Sequence, residues 1–199
     1  GAVSKFIPAS AENNFKITAS QLAESITPQT KIFIINSPSN PTGMVYSRQE
    51  LESLAGICVK HRIFMISDEI YEKLIYDATE YVSVAALSKE AYALTLTVNG
   101  VSKAYSMTGW RIGYCAGPQE IMDVIKNFQD HSTSNPASIS QAAALEALQS
   151  PDESIRAMRD EFRTRRDLMM QEVSRIGGVR YVRPDGAFYL FCDFSKFGS

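Results

Sequence analysis

The chain has 199 residues, 20 Lys and Arg against 22 Asp and Glu for a formal net charge of −2, and 45% hydrophobic residues. This is ordinary globular composition, long enough to bury a core without disulfides or metals, and it lacks the basic excess expected of a nucleic-acid binder. No apolar run approaches the roughly 18 residues of a membrane span. Three scattered cysteines, Cys58, Cys115 and Cys192, read as reduced thiols of a cytoplasmic or similar compartment.

In chain order, Lys31–Ile35 reads as a buried strand, followed by the turn-rich stretch Asn36-Ser-Pro-Ser-Asn-Pro-Thr-Gly43. Ser47 with Glu50 forms a capping-box signature, and Leu51, Leu54, Ala55 and Cys58 follow at helical spacing. Ile63–Ile66 is the next strand, running into Ser67-Asp68, with a short helical segment expected over Glu69–Leu74. Leu94–Val98 is a third strand and Arg111–Ala116 a fourth, with helices over Gln119–His131 and Ser138–Leu148. Strand–helix alternation predicts an α/β fold: a three-layer, mostly parallel sheet with helices on both faces.

Beyond Leu148 the pattern changes. Ser150-Pro151 is a helix start, and Ile155, Met158, Phe162, Met169, Val173 and Ile176 form one long apolar stripe ending at Gly177-Gly178. Two strand-like runs follow, Val179–Val182 and Ala187–Phe191. The expected division is 1–149 as part of a large domain, with 150–199 as a connecting helix and the beginning of a small α+β domain. The small unit is too short to own a core, so the chain reads as a fragment.

Ligands of open α/β sheets bind beyond the carboxyl ends of the strands. Asn40 follows the first predicted strand, Asp68 ends the second, and Lys103 lies five residues past the third. Each has an ordinary reading alone. Asn40-Pro-Thr-Gly43 makes a turn, Asp68 caps a helix, Lys103 is solvated, Arg111 pairs with a surface carboxylate, and Tyr71 is core. The combination carries the argument. The chain has only two histidines, His61 and His131, and neither HExxH nor CxxC, which argues against a His-based triad or zinc. A lysine that condenses with a carbonyl cofactor is one answer for an amine, a carboxylate, a phenol, an amide and a guanidinium at one sheet edge. Pyridoxal 5'-phosphate needs those parts: an amine for its aldehyde, an acid for its ring nitrogen, donors for its ring oxygen, and a cation for its phosphate.

The chain resembles the class I and II (fold type I) pyridoxal-phosphate aminotransferases, particularly the aspartate-specific kind found in bacteria, cyanobacteria and plastids. The resemblance rests on Asn36–Gly43, Ser67-Asp-Glu-Ile-Tyr-Glu72, Asn99-Gly-Val-Ser-Lys-Ala-Tyr-Ser-Met-Thr-Gly-Trp-Arg-Ile-Gly-Tyr114, Ser134-Asn-Pro-Ala-Ser138 and Pro184-Asp-Gly-Ala-Phe-Tyr189. It implies that Lys103 is the Schiff-base lysine and Arg111 binds phosphate. It also implies that Asp68 partners the ring nitrogen, and that Tyr71 and Asn40 donate to the ring oxygen, Asn40 also touching substrate. Ser134 and Asn135 match a segment that approaches the neighbouring subunit's site, which implies a homodimer. The substrates implied are an amino acid, aspartate first, and a 2-oxo acid.

One departure concerns phosphate: many relatives have serine three residues before the lysine, where this chain has Gly100, with Ser102 adjoining the lysine instead. The family's upstream phosphate turn and its carboxylate-clamping arginine are expected outside these residues, so the fragment alone is expected to be inactive. Three alternatives stay open. One is a relative acting on aromatic amino acids, alanine, prephenate or kynurenine, or performing β-elimination. Another is a ligand-sensing regulator built on the same fold. The third, a nicotinamide-dependent dehydrogenase, is opposed by the spacing of Gly109, Gly113 and Gly117, which does not make GxGxxG.

Overall fold

The computed structural model describes residues 1–198. Three parallel strands form the centre of its main sheet: β1 (Ile32–Asn36), β2 (Phe64–Asp68) and β3 (Thr95–Gly100). The fourth, β4 (Gly113–Ala116), pairs antiparallel with β3, and the spatial order is β1-β2-β3-β4. Asn36 lies opposite Asp68, Asp68 opposite Val98, and Gly100 opposite Gly113. The carboxyl ends of three strands and the amino end of the fourth therefore share one edge.

The helices are α1 (Ala19–Ser25), α2 (Arg48–His61), α3 (Lys89–Tyr92), α4 (Gln119–Ser132), α5 (Ser138–Gln149) and α6 (Glu153–Ser174). The expected capping box starts α2: the Ser47 side chain accepts from the Glu50 N–H, and Glu50 Oε2 accepts from the Ser47 N–H at 2.7 Å. Arg62, left-handed at φ 53°, ends it. Its apolar face, Leu51, Leu54, Ala55 and Cys58, closes over Ile35 and Met65 of the sheet. Each buried leucine contributes roughly 1.5–3 kcal/mol. The opposite sheet face, which was also expected to be covered, leaves Ile32 and Ile34 52% and 67% exposed.

Four local expectations are corrected. Glu69–Leu74 is a run of turns, because Asp68 Oδ1 takes the Ile70 N–H at 3.2 Å and the chain bends instead of coiling. Helix α6 starts after Asp152, which holds the N-cap position without a side-chain capping bond, since Ser150 already closes α5 by bonding Glu146 O. The fourth strand begins at Gly113, because Arg111 is left-handed at φ 54° and cannot extend it. Ala187–Phe191 is not a strand: Ala187 is left-handed at φ 56°, and the small sheet is β5 (Arg180–Tyr181) paired with β6 (Cys192–Asp193).

Candidate active site

The loop after β1 is shaped by Asn36. Its Oδ1 accepts from the Asn40 backbone N–H at 2.7 Å, and its Nδ2 donates to Asp68 O at 3.1 Å. One side chain thus ties the Asn40 loop to the end of β2. Gly43, at φ 71°, lets this loop approach another segment: an added Cβ would lie 2.4 Å from Pro184 Cβ and 2.8 Å from Gly186 O. The loop accordingly bonds that segment, the Gly43 carbonyl accepting from both Asp185 N and Gly186 N at 3.0 and 2.8 Å.

Asp68 is half-buried at the carboxyl end of β2. Its neighbour Glu69 points the other way into the protein, 3% exposed, and accepts from Ser67 Oγ, Ser83 Oγ and Tyr81 Oη. Tyr71, in the turn that follows, is 2% exposed. Its hydroxyl lies 2.6 Å from that of Tyr189. Burial, then the Tyr189 bond and the charge of Asp68, push the Tyr71 phenol upward, while the Asn40 side chain pulls the other way. Tyr71 is thus core, as its ordinary reading had it, at the same edge as Asp68.

Lys103 is half-buried three residues beyond β3. Its Nζ stands 6.0 Å from the Tyr71 ring centre and 5.6 Å from that of Phe188, within range of cation–π attraction. The loop carrying it folds back on itself. Arg111 Nη1 donates to Thr108 O at 3.0 Å, and Thr108 Oγ1 donates to Ser102 O at 3.2 Å. Arg111, exposed and two residues before β4, therefore sits at the same edge as Lys103. Gly100 has little room for a side chain: a Cβ there would lie 2.9 Å from Ile112 O and 3.0 Å from Gly113 Cα.

Asn40, Asp68 and Lys103 thus gather around Tyr71, with Arg111 on the adjoining loop. Ser134 and Asn135 are exposed in the α4–α5 connection, where Asn135 Nδ2 bonds Pro136 O. The sequence reading gave no role to Asn36, Glu69, Phe188 or Tyr189. All four lie in segments it singled out, Asn36–Gly43, Ser67–Glu72 and Pro184–Tyr189, and that membership was the only signal. The group can hold an aldehyde on the amine, a cation on the carboxylate, an oxyanion on the phenol and amide, and a phosphate on the guanidinium.

A family model described as aminotransferase class I and II matches residues 1–197. The chain is 50% identical over 196 residues to an aspartate aminotransferase of Bacillus sp. (strain YM-2), covering 98% of this chain and 50% of that protein. It is 47% identical over 190 residues to an aspartate/prephenate aminotransferase of Cereibacter sphaeroides, covering 95% and 48%. Among solved structures it resembles an aspartate aminotransferase of Thermus thermophilus with maleate, at TM-score 0.88 and 40% identity, covering 96% of this chain and 50% of the other. The chain spans about half the length of the curated relatives it matches.

Proposed function

The chain belongs to the class I and II aminotransferases, and from that premise we propose that its protein is a pyridoxal-phosphate-dependent transaminase. It would move an amino group between aspartate and a 2-oxo acid, with 2-oxoglutarate and oxaloacetate as the keto partners. The single observation that carries the reading is the meeting of Lys103 and Asp68 at the Tyr71 side chain.

The donor set fits the cofactor. Lys103 Nζ is the amine for its aldehyde, Asp68 the anion for its ring nitrogen, Tyr71 and Asn40 the donors for its ring oxygen, and Arg111 the cation for its phosphate. When bound, the cofactor supplies an electron sink for the substrate Cα. Asp68 holds a proton on the ring nitrogen by charge. Tyr71 and Asn40 hold the ring oxygen by hydrogen bonding. Lys103, once freed from the cofactor, would take the Cα proton on its Nζ and return it as general acid. Buried Tyr71 walls one side of that amine, and the Phe188 ring, itself 39% exposed, lies 5.6 Å from it.

Aspartate is favoured because a relative 50% identical over the 196 aligned residues is named for it, and because a structural relative was solved with maleate, a four-carbon dicarboxylate. Prephenate as acceptor is the second reading, supported by the Cereibacter sphaeroides relative. The resemblance and the exposed loop at Ser134 and Asn135 support a homodimer in which that loop serves the partner's site. The proposed domain boundary stays at residues 149 and 150, and the proposed compartment is the cytoplasm.

The test uses the full-length protein. It is loaded with pyridoxal phosphate, reduced with borohydride and digested, and the labelled lysine is located. Label on Lys103 is expected, with aspartate–2-oxoglutarate exchange the fastest in a substrate panel. Label on another lysine overturns the reading.

A further inference from the structure

We propose that Tyr189 is a positioning residue for Tyr71, fixing the direction in which the Tyr71 hydroxyl donates its proton. This rests on the cofactor reading above. Each hydroxyl has one proton to give and two lone pairs. At 2.6 Å the two hydroxyls share one hydrogen bond, so one of them donates and the other keeps its proton for another partner. Tyr71 has Asn40 and Asp68 beside it and Lys103 over its ring, so its free direction faces the site. Either hydroxyl can donate across that distance, and the donation is assigned to Tyr189, because Tyr71 needs its own proton for the ring oxygen in the cofactor reading. Tyr189 occupies a lone pair of the Tyr71 oxygen and leaves the Tyr71 proton free for an acceptor on the site side. A donor bonded to the Tyr71 oxygen also polarises the Tyr71 O–H and strengthens its outward bond.

The segment that carries Tyr189 is held too firmly for this contact to be incidental. The Ala187 N–H donates to Leu74 O at 2.8 Å and the Tyr76 N–H to Asp185 O at 2.9 Å, gripping the turn that bears Tyr71. Gly186 pairs with Ile75 as an isolated antiparallel bridge. A Cβ on Gly186 would lie 2.9 Å from both Leu74 O and Pro38 Cβ. Arg166 of α6 donates to Pro184 O at 3.1 Å. The rings add edge-on packing, with the Tyr71 and Tyr189 centres 5.8 Å apart. The Asn40 loop and the Tyr71 turn thus place Tyr189 through backbone bonds, and its hydroxyl is the atom that reaches the site.

The experiment titrates the absorbance of bound pyridoxal phosphate against pH in the full-length protein and in Tyr71→Phe, Tyr189→Phe and the double variant. Loss of the Tyr71 donor raises the midpoint, because the ring oxygen is less well stabilised as an anion. Tyr189→Phe keeps the ring packing and is expected to raise the midpoint by roughly 0.5 to 1 unit, with no further shift when added to Tyr71→Phe. An unmoved midpoint in Tyr189→Phe, or a shift that persists unchanged in the Tyr71→Phe background, overturns the proposal. Absence of any cofactor band in the unsubstituted protein overturns the cofactor reading instead, so the two failures are distinct.

Discussion

Why an acid at position 68? A free pyridine nitrogen is largely unprotonated at neutral pH. Keeping it protonated takes a shift of roughly two units, or about 3 kcal/mol. A carboxylate about 4 Å away contributes about 4 kcal/mol at an effective dielectric of about 20, before desolvation. An amide contributes no such charge. Asp68→Asn in the full-length protein is therefore expected to lower the rate of Cα proton removal by at least about 100-fold, since about 3 kcal/mol is two powers of ten. Borohydride labelling of Lys103 should persist. Single-turnover deuterium exchange at the substrate Cα measures the rate, and exchange equal to that of the parent would refute the role. Asn keeps a side-chain oxygen that can accept the Ile70 N–H bond now made by Asp68, so the change isolates charge from turn geometry.

At the scale of elements, strand ends and helix starts were readable wherever one local signal acted alone. The capping box at Ser47 and Glu50 and the helices α4 and α5 followed from spacing and turn residues. Misreadings fell where a side chain diverts the backbone, as Asp68 does after β2 and Ser150 does before α6. Helix α6 reads as an apolar stripe, yet its anchor is polar. Arg166 has a side chain 4% exposed, donates to Asp77 Oδ2 at 2.9 Å and to Pro184 O, and stacks 4.9 Å over the Tyr76 ring. No periodicity marks such an arginine, because apart from its neighbour Asp167 its partners lie far away in sequence. Burial alone would raise the Asp77 carboxyl, but the bond and charge of Arg166, with Arg183 bonded to the same oxygen at 2.6 Å and Arg163 beyond, hold it below its usual value. A depressed carboxyl contributes stability above its unfolded value near 4, and loses it as pH falls through the lower folded value. Arg166→Ala should therefore destabilise the protein by about 2 kcal/mol at pH 7 in denaturant unfolding, by the lost bonds to Pro184 O and Asp77 and the lost stacking, with Arg183 still on Asp77. The difference from the parent should narrow as pH drops below about 4. A difference that stays constant from pH 7 to pH 3 would detach Asp77 from the effect.

At the scale of the molecule, the site is the convergence of four chain segments on one sheet edge: 36–43, 68–76, 100–111 and 184–189. Three were legible because parallel strands must deliver their following loops to the same side. Tyr189 was not, since nothing in alternation or spacing says where a segment beyond a 22-residue helix returns. The same geometry leaves apolar surface open. Ile32 and Ile34 stand out from β1. Helix α4 has no buried residue and exposes Val124 and Phe128 at 67% and 73%, and α5 exposes Ile139 at 70%. Soluble monomers rarely leave such faces contiguous and bare. The 199 residues expressed by themselves are therefore expected to self-associate and to bind an apolar fluorescent dye. The full-length protein, with about twice the chain to lay over these faces, should bind much less dye per mole. Light scattering and dye titration on the two samples at equal concentration measure this. A dye-silent, monomeric 199-residue chain would mean that these side chains close against one another in solution and that the open sheet face is not a surface awaiting a partner.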